Sequence, residues 1–561
     1  MKLFIKGKGT EISLSPSDFL AAGGEGKVYF KGGTVYKVCD TGKMIPEGKF
    51  SELSALDNLH IIKPEDILVD SKNHPVGYTM RYVSDTYTLC QLFTKAFRLR
   101  NNINPGQVFC LVQQMQQTID YIHKKNILIV DLNEFNFLLD KSFKDIYFID
   151  VNSYQTSSYA ATAIMDSIRD RHCNGNFNKE TDWFSFAIIS FQMFIGIHPY
   201  KGRHTKYNFE ERMKHNISIL NSEVTYPTAA CQPFGVVPDA YMRWYKAVLE
   251  KGERIPPPAM ITGSILINIP TTKVVGGKIL AITKIRKFDT PLVHYCQSFG
   301  SEVYITTDKV YAGVAECENP GEKELHVGFT PRKNLPILAS LDNKSVKLYD
   351  IINKKELPFI CAVDKIMDFD GRIYIQNGTN IIEVIFTEIA NQVIASAHIV
   401  AFVLEQTVKF YPGVVIQSLF DAYYVSIFPE SNQCQQIALK ELNDYKVIDA
   451  KYENHILMII GANKSGNYSR FTFIFDKDWT YAVREVKNIT FMGLNFTVLD
   501  NGVCVQIDEE ENIQVFRAEK GGNIKLIDDD VIDHDMGLFH KGAQIMFSKG
   551  DTLYGMTMKK P

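Results

Sequence analysis

Residues 270–561 are built from short runs in which apolar and polar side chains alternate, separated by turns rich in Asn, Asp, Gly and Lys. Alternation with a period of two is typical of β-strands that bury one face, and helical periodicity is almost absent from this half of the chain. Clear runs lie at residues 345–350, 372–375, 470–475 and 512–516. The pattern predicts an all-β domain over residues 270–561.

The spacing of these strands narrows the choice of architecture. Six strand centres follow one another at intervals of 36, 53, 36, 42 and 38 residues: Leu348, Val384, Ile437, Phe473, Val515 and Leu553. One four-stranded blade of a β-propeller takes about 40–50 residues. We therefore predict a six- or seven-bladed β-propeller whose last strand, near Leu553, pairs with the first strands of the domain. A pair of β-sandwiches would show the same alternation and is the alternative.

The length, composition and net charge of the chain narrow the class of protein to which it can belong. A chain of 561 residues exceeds one ordinary hydrophobic core, and 45% hydrophobic with 22% charged residues is typical of a soluble globular protein. The net charge of −3 includes no block of like charge, which argues against a protein that coats nucleic acid. We expect two or three domains and no nucleic-acid partner.

Membrane and secretion signals are also missing from the sequence as we interpret it. The most apolar stretch, residues 184–197, is too short to span a bilayer, and Lys6 and Lys8 interrupt any signal-peptide core. The ten cysteines are scattered without a Cys-x-x-Cys pair, so neither a zinc site nor a disulfide framework is indicated. We expect a cytoplasmic protein (in the host cytoplasm if it is viral) that does not bind membranes.

The first half of the chain shows a different periodicity. Strand-like segments are followed by apolar residues at helix spacing over 109–123 and again over 182–196. The Ile-Pro-Pro-Pro run at 255–258 ends the last helical segment, and consecutive prolines are typical of a stiff linker. We predict one domain over residues 1–265, followed by the all-β domain.

A glycine-rich segment near the N-terminus has the composition of a phosphate-binding hairpin. Gly23, Gly24 and Gly26 come just before an apolar run, and Lys37 lies on the strand that follows. Because glycines have no Cβ atom, the backbone can approach a nucleotide closely, and a lysine on the next strand can reach its phosphates. Taken alone, the segment is better explained as an ordinary turn, because glycine-rich hairpins are common.

Acidic and amide side chains farther along complete a possible phosphoryl-transfer site. Asp131 and Asn136 lie five residues apart on a predicted loop, and Asp150 follows an apolar strand. The reaction needs a metal ion on the phosphates, a carboxylate that accepts the proton of the acceptor hydroxyl, and a cation on the nucleotide. Asp150 and Asn136 suit Mg²⁺. Asp131 suits the hydroxyl, and Lys37 suits the phosphates of ATP.

In this order, these residues resemble the motifs of the protein kinase family. The segment from Asp131 to Asn136 resembles the kinase catalytic loop, and Asp150 occupies the place of the Asp-Phe-Gly aspartate. The resemblance implies a two-lobed α+β fold with an N-lobe over about 1–83 and a C-lobe over about 84–265. It also implies serine/threonine-type transfer from ATP with Mg²⁺.

The resemblance assigns further roles. Glu52 would be the helix αC glutamate that pairs with Lys37, although Glu47 is near enough to take its place. The nucleotide would contact the glycine-rich loop, the adjoining strands and the hinge: Gly23, Gly24, Gly26, Val28, Lys37, Met80, Tyr82 and Val83. Asp182 would brace the catalytic loop. Arg254 would pair with a carboxylate of the activation segment, with Asp166 favoured over Asp170.

The sequence departs from the family pattern at several motif positions. Ala21 replaces the first loop glycine, Ile129-Val130 replaces His-Arg, and the segment after Asp150 continues Val-Asn instead of Phe-Gly. This pattern of motif residues is similar to that of a divergent bacterial and phage branch of kinase-like proteins, some of which carry extra binding domains. Without an arginine before Asp131, a phosphorylated activation loop has no evident docking charge.

These observations favour a protein kinase whose C-terminal domain binds a substrate or partner protein. A pseudokinase scaffold is the main alternative. A virion or structural protein in which the propeller is the working part and a kinase-fold enzyme that transfers a nucleotidyl group are further ones. The four polar residues central to transfer are retained, which favours catalysis: Lys37, Asp131, Asn136 and Asp150.

Overall fold

The computed structural model describes residues 1–162, 164–173, 175–228, 231–259, 278–298, 300–319, 324–342, 344–389, 392–420, 422–490, 493–517 and 524–559. The chain separates into two compact units. The first comprises Met1–Thr272 with the short segments Ala462–Tyr468 and Asn488–Gly493; the second comprises Lys273–Gly461, Ser469–Lys487 and Leu494–Pro561. The boundary predicted between residues 265 and 270 lies outside the described residues.

The first unit combines an N-terminal sheet with a helical region. Its strands are β1 Lys2–Ile5, β2 Glu11–Ser13, β3 Phe19–Gly23, β4 Gly26–Lys31, β5 Thr34–Cys39, β6 Ile67–Val69, β7 Pro75–Arg81, β8 Thr86–Thr88, β9 Phe137–Asp140 and β10 Ile146–Phe148. Its α-helices are α1 Glu47–Leu53, α2 Lys95–Arg100, α3 Pro105–Lys124, α4 Lys179–Ile195, α5 Phe209–His215 and α6 Asp239–Tyr245. The strands form two sheets, in the orders β2-β1-β6-β7-β5-β4-β3 and β10-β9-β8.

Two glycines allow the strands around Lys37 to lie close together. Lys37 on β5 is opposite Val28 of β4 on one side and Tyr78 of β7 on the other. A Cβ atom at Gly26 would lie 2.2 Å from the carbonyl oxygen of Val38, and one at Gly77 would lie 2.2 Å from that of Lys37. Only glycine fits at these two positions without shifting the backbone of β5.

The two long helices confirm the periodicity at 109–123 and 182–196. Helix α3 begins with a capping box, in which the Asn104 side chain accepts from the backbone N–H of Gln107 at 3.0 Å. Helix α4 is buried from Thr181 to its last residue and ends at Gly196 in the left-handed region, with φ 94°. Among the described residues, the helices lack the combination of length and apolar character that a membrane crossing requires.

The second unit is all-β. Its strands are β11 Leu280–Lys287, β12 Leu292–Ser298, β13 Ser301–Thr306, β14 Lys309–Ala312, β15 Ala315–Glu318, β16 Leu325–Phe329, β17 Pro336–Asp342, β18 Ser345–Asp350, β19 Lys355–Leu357, β20 Lys365–Phe369, β21 Arg372–Asn377, β22 Asn380–Ile389, β23 Gln392–Phe402, β24 Val408–Tyr411, β25 Val414–Leu419, β26 Ala422–Ile427, β27 Gln435–Ala438, β28 Tyr445–Glu453, β29 Ile456–Asn463, β30 Tyr468–Phe475, β31 Tyr481–Lys487, β32 Phe496–Val498, β33 Val503–Ile507, β34 Ile513–Arg517, β35 Lys525–Ile527, β36 Gly537–Lys541, β37 Gln544–Lys549 and β38 Thr552–Met558.

In the described part of the chain these strands form seven antiparallel four-stranded sheets. Six of them are made of consecutive strands, from β12–β15 to β32–β35. The seventh has the order β11-β38-β37-β36, so the first strand of the unit pairs with the last, with Leu280 opposite Met558. The predicted all-β character and the pairing of the final strand near Leu553 with the first strand are both confirmed.

Buried side chains join each sheet to its neighbour. One cluster draws Ile337 and Leu348 from the sheet β16–β19 and Ile373 and Val384 from the sheet β20–β23. Other clusters join β24–β27 to β28–β31 and β32–β35 to the closing sheet. Each of these sheets therefore buries a face against another sheet, as the alternating sequence requires.

An ion pair ties the segment between Asp150 and Asp182 to the chain after α6. The Arg254 guanidinium donates to both oxygens of Asp170, from Nε at 2.6 Å and from Nη2 at 2.7 Å. The preference for Asp166 as the partner is wrong. That carboxylate is exposed and lies instead near Arg169 and Arg171, at 3.7 and 3.5 Å, whereas the Asp170 side chain is 3% exposed and faces Arg254.

We expect Asp170→Asn to lower the free energy of unfolding of the first unit by about 3–5 kcal/mol, because it leaves a partly buried guanidinium without its counter-charge. Urea unfolding followed by tryptophan fluorescence measures this, since Trp183 and Trp244 both lie in the first unit. Asp166→Asn is the matched control, and its effect should stay within about 0.5 kcal/mol. Equal effects of the two substitutions would contradict the structural role of the pair.

Truncation after Gly550 should destabilise the whole second unit, because it removes β38 and leaves β11 without its partner strand. We expect the melting temperature of the unit to fall by at least about 5 °C, since 1 kcal/mol corresponds to about 2–4 °C in a domain of this size. Truncation after Met558 keeps β38 and serves as the control. A full-length melting profile in the shorter protein would show that the β11–β38 pairing is dispensable.

Candidate active site

The loop between α3 and β9 places Asp131 and Asn136 side by side. The Asn136 side-chain amide donates to the backbone oxygen of Asp131 at 2.9 Å and to its carboxylate at 3.4 Å. The other oxygen of Asp131 accepts from the backbone N–H of Met165 at 2.8 Å. Burial raises the pKa of Asp131, although the hydrogen bonds from Asn133 and Met165 oppose this.

The Asp182 carboxylate holds this loop in place through three hydrogen bonds. It accepts hydrogen bonds at 2.8 Å from the backbone N–H of Ile129, the backbone N–H of Val130 and the ring of His123. Val130 has a φ of 63°, a conformation that is a genuine outlier for a β-branched residue. The bonds to a fully buried carboxylate offset that strain, which confirms the predicted brace.

Asp150 lies next to Asn136 because the backbone N–H of Ile149 donates to the carbonyl oxygen of Asn136 at 2.9 Å. Asp150 itself is in the left-handed region, with φ 57°, and begins a short 3-10 turn at Val151–Ser153. One carboxylate and one side-chain amide oxygen, completed by phosphate and water, are the ligands that Mg²⁺ commonly takes. Within the described residues, the His, Cys, Asp and Glu side chains form no group of three or more that could hold a metal ion.

Lys37 is 8% exposed and points at Asp150. Its Nζ lies 3.2 Å from the Asp150 carboxylate, well within the roughly 10 Å that a shared phosphate and metal site allows. It also donates to Glu25 at 2.9 Å and to the side-chain oxygen of Asn152 at 3.2 Å. Burial alone would lower the pKa of Lys37, but Tyr78 and the two carboxylates outweigh it and raise the pKa above its ordinary value.

The predicted pairing of Glu52 with Lys37 is wrong. Glu52 is half-buried, and its carboxylate accepts from the backbone N–H of Ser158 at 3.3 Å. Glu47 does not replace it, because that side chain pairs with Lys6. Helix α1 has only seven residues, and its buried residues are Lys49 and Leu53, four residues apart, so the charged side chain that this helix buries is a lysine and not a glutamate.

Sequence reasoning missed three residues that line the cleft. Glu25 pairs with Lys37, and Asn152 both accepts from Lys37 and donates to Glu25, the latter at 2.8 Å. Lys49 is 2% exposed, and among the described residues its ammonium makes one long hydrogen bond, at 3.5 Å, to the carbonyl oxygen of Ala160. The signal for Glu25 was its place between Gly24 and Gly26, which puts it at the tip of the hairpin that faces Lys37.

The remaining nucleotide-contact residues stay predictions. Met80 is near the end of β7, and Tyr82 and Val83 follow it, all half-buried. The Tyr82 ring lies 4.0 Å from the ring of Phe30 on β4, centroid to centroid. A Cβ atom at Gly23 or Gly24 would meet no atom within 4 Å, so the loop has open space beside it.

A tyrosine of the segment Ala462–Tyr468 completes the surroundings of the catalytic loop in the first unit. The Tyr468 hydroxyl donates to the buried Glu134 carboxylate at 2.6 Å, and the Lys201 ammonium lies 4.8 Å from the Tyr468 ring centre. Burial raises the pKa of Glu134 and lowers that of Lys201 to about 8. This contact fixes the middle of the loop between Asp131 and Asn136.

No protein-family model matches the chain. The chain is 23% identical over 206 residues to the cAMP-dependent protein kinase type 3 of Saccharomyces cerevisiae, which covers 32% of this chain and 48% of that kinase. It therefore spans about half the length of this curated relative. A kinase of Cydia pomonella granulovirus, PK-1, is 16% identical, with a TM-score of 0.30 over 42% of this chain and 88% of that one. The sequence similarity to the yeast kinase supports a protein kinase-like region.

Asp182→Asn should loosen the catalytic loop, because the introduced amide nitrogen faces backbone donors that need an acceptor. Each buried donor left unpaired costs about 1–3 kcal/mol. We expect faster amide hydrogen exchange over residues 129–131, measured by mass spectrometry, together with lower stability of the first unit. Asp120→Asn on the exposed face of α3 is the control and should leave both unchanged; protection equal to that of the wild type in Asp182→Asn would refute the brace.

Proposed function

We propose that the first unit is a protein kinase that transfers the γ-phosphoryl group of ATP to a serine or threonine hydroxyl in the presence of Mg²⁺. The observation that carries this proposal is the convergence of Lys37, Asp150 and Asn136 beside Asp131. The similarity to a yeast protein kinase supports the reaction class. The site residues come from separate parts of the chain, and an incidental turn or a single surface strand does not explain their meeting.

Each side chain has a role that its environment suits. Asp131 is buried, which raises its pKa and makes its carboxylate a better acceptor for the proton of a substrate hydroxyl. Its hydrogen bond from Met165 fixes its orientation. Asp150 and Asn136 fit a Mg²⁺ ion, which would neutralise charge on the phosphates. Lys37 supplies a fixed positive charge for the nucleotide.

We further propose that the seven sheets of the second unit close into a seven-bladed β-propeller that binds a partner or substrate protein. The pairing of β11 with β38 supports closure. So do side chains that link the first strands of successive sheets: Asp368 on β20 pairs with His326 on β16 and His294 on β12. Gln297 on β12 donates at 3.2 Å to the carbonyl oxygen of His540 on β36, which joins the first sheet of the series to the last.

A pseudokinase scaffold is the second candidate function. One observation favours it: the ammonium of Lys37 is already surrounded by acceptors from the protein. A scaffold, however, has no need for the bonded pair Asp131 and Asn136. A nucleotidyl transferase on the same residues is distinguished from a kinase only by which phosphate of ATP is transferred. For either enzyme we propose a cytoplasmic location.

Incubation with γ-labelled or α-labelled ATP, Mg²⁺ and a mixed protein substrate tests the proposal. We expect label from γ alone, and Asp131→Asn should abolish it while leaving ATP affinity within a few-fold, because this carboxylate orients the acceptor and not the nucleotide. Asp150→Asn should instead weaken Mg²⁺-dependent nucleotide binding. Asp85→Asn, an exposed left-handed aspartate, is the control.

Transfer of α label would show nucleotidyl transfer. An absence of label from either position would favour the scaffold, and equal transfer by wild type and Asp131→Asn would refute the catalytic role of Asp131.

A further inference from the structure

All three N–H donors of the Lys37 ammonium are committed to the protein. They face Glu25, Asp150 and Asn152 at 2.9, 3.2 and 3.2 Å. A lysine ammonium has three donors and no acceptor. A phosphate oxygen can therefore bind Lys37 closely only if one of these three acceptors moves away.

Glu25 is the acceptor most able to move. Asn152 is 3% exposed, and Asp150 begins the same 3-10 turn, so both are fixed beside β10. Glu25 instead lies in the two-residue turn between β3 and β4, which the pair Gly23 and Gly26 closes. The two glycines that precede it, Gly23 and Gly24, have open space beside them.

A second buried cation, Lys49, has no counter-ion among the described residues. Among the described residues, no carboxylate oxygen comes within 4 Å of the Lys49 ammonium, whose single hydrogen bond is the one at 3.5 Å to Ala160. Burial lowers the pKa of Lys49, while the charges of Glu25 and Asp150 oppose this shift. Both carboxylates therefore interact electrostatically with the Lys49 ammonium. Two donors of a buried ammonium remain for an anionic oxygen.

Building on the proposed function, we propose that a nucleoside polyphosphate binds by displacing Glu25 from Lys37, with Lys49 as a second phosphate-binding cation. The charges of the two lysines, Lys37 and Lys49, balance those of the two carboxylates, Glu25 and Asp150. A bound polyphosphate would place further negative charge beside the Glu25 carboxylate. Repulsion between the phosphate oxygens and this carboxylate then moves Glu25 toward solvent. Asp150 stays, because it is the carboxylate that a metal ion needs.

Affinity for ADP and for adenosine, measured by calorimetry on the full chain without Mg²⁺, tests this exchange. Glu25→Gln keeps the size of the side chain and removes its charge, so ADP should bind about tenfold more tightly, the factor expected for one charge-assisted hydrogen bond. Lys49→Met should weaken ADP binding by about the same factor. Adenosine has no phosphate and should bind all three proteins equally.

Conservative variants and distant controls separate the exchange from a loss of structure. Glu25→Asp and Lys49→Arg keep the charges and should bind ADP with nearly wild-type affinity. Glu47→Gln on the exposed face of α1 and Lys8→Met, whose ammonium pairs with Asp66, are matched controls for the two charge removals. Thermal melting confirms that each variant is folded.

The outcomes distinguish this inference from the proposed function. ADP affinity that is unchanged or lowered in Glu25→Gln, with adenosine binding intact, overturns the exchange and leaves the kinase proposal standing. ADP affinity that is unchanged in Lys49→Met overturns the role of Lys49. If neither the wild type nor Glu25→Gln binds ADP, both the exchange and the kinase proposal fail.

Discussion

The buried carboxylate of Asp182 is the constraint on which the candidate site depends. It lies in the first turn of α4, a helix enclosed along almost its whole length, and it presents its oxygens to the backbone of the catalytic loop. The loop therefore takes its position from the core of the unit. Because Val130 is held in a conformation that it would not adopt alone, the carboxylate of Asp131 is fixed before any substrate arrives. A site built on such a support does not have to be ordered by its ligand.

Ion pairs in the cleft place opposite charges next to one another. Asp150 and Glu25 would repel each other if no cation lay between them, and Lys37 contacts both. Asn152 adds a neutral bridge, since one end of its amide accepts from Lys37 and the other donates to Glu25. The N-terminal hairpin is thereby fastened to the segment after β10. Glu25 itself lies in the two-residue turn between β3 and β4, next to glycines, which give the backbone more conformational freedom than other residues do.

The sequence was most informative where one local pattern determines one structure. Alternation identified β18 at its observed bounds and β34 within one residue, and the order of polar motifs brought Asp131, Asn136 and Asp150 together. The sequence did not predict which side chain of a short segment makes a particular contact. Lys49 and Glu52 are only three residues apart on one seven-residue helix, and packing buries the lysine while Glu52 bonds Ser158. Asp166 and Asp170 are chemically equivalent choices for Arg254, and the fold of their segment selects the second.

The departure from His-Arg before Asp131 has a structural counterpart in the segment that follows Asp150. An arginine at that position would dock a phosphorylated residue, but Val130 cannot. The segment is instead held by bonds that need no phosphate: Met165 donates to Asp131 at 2.8 Å, the His198 ring bonds the carbonyl oxygen of Ser167 at 2.9 Å, and Asp170 binds Arg254. Burial lowers the pKa of His198 to about 3, so its ring is neutral and its bond to Ser167 does not vary across the physiological pH range. These three contacts hold the described part of the segment through the fold itself, without a phosphate group.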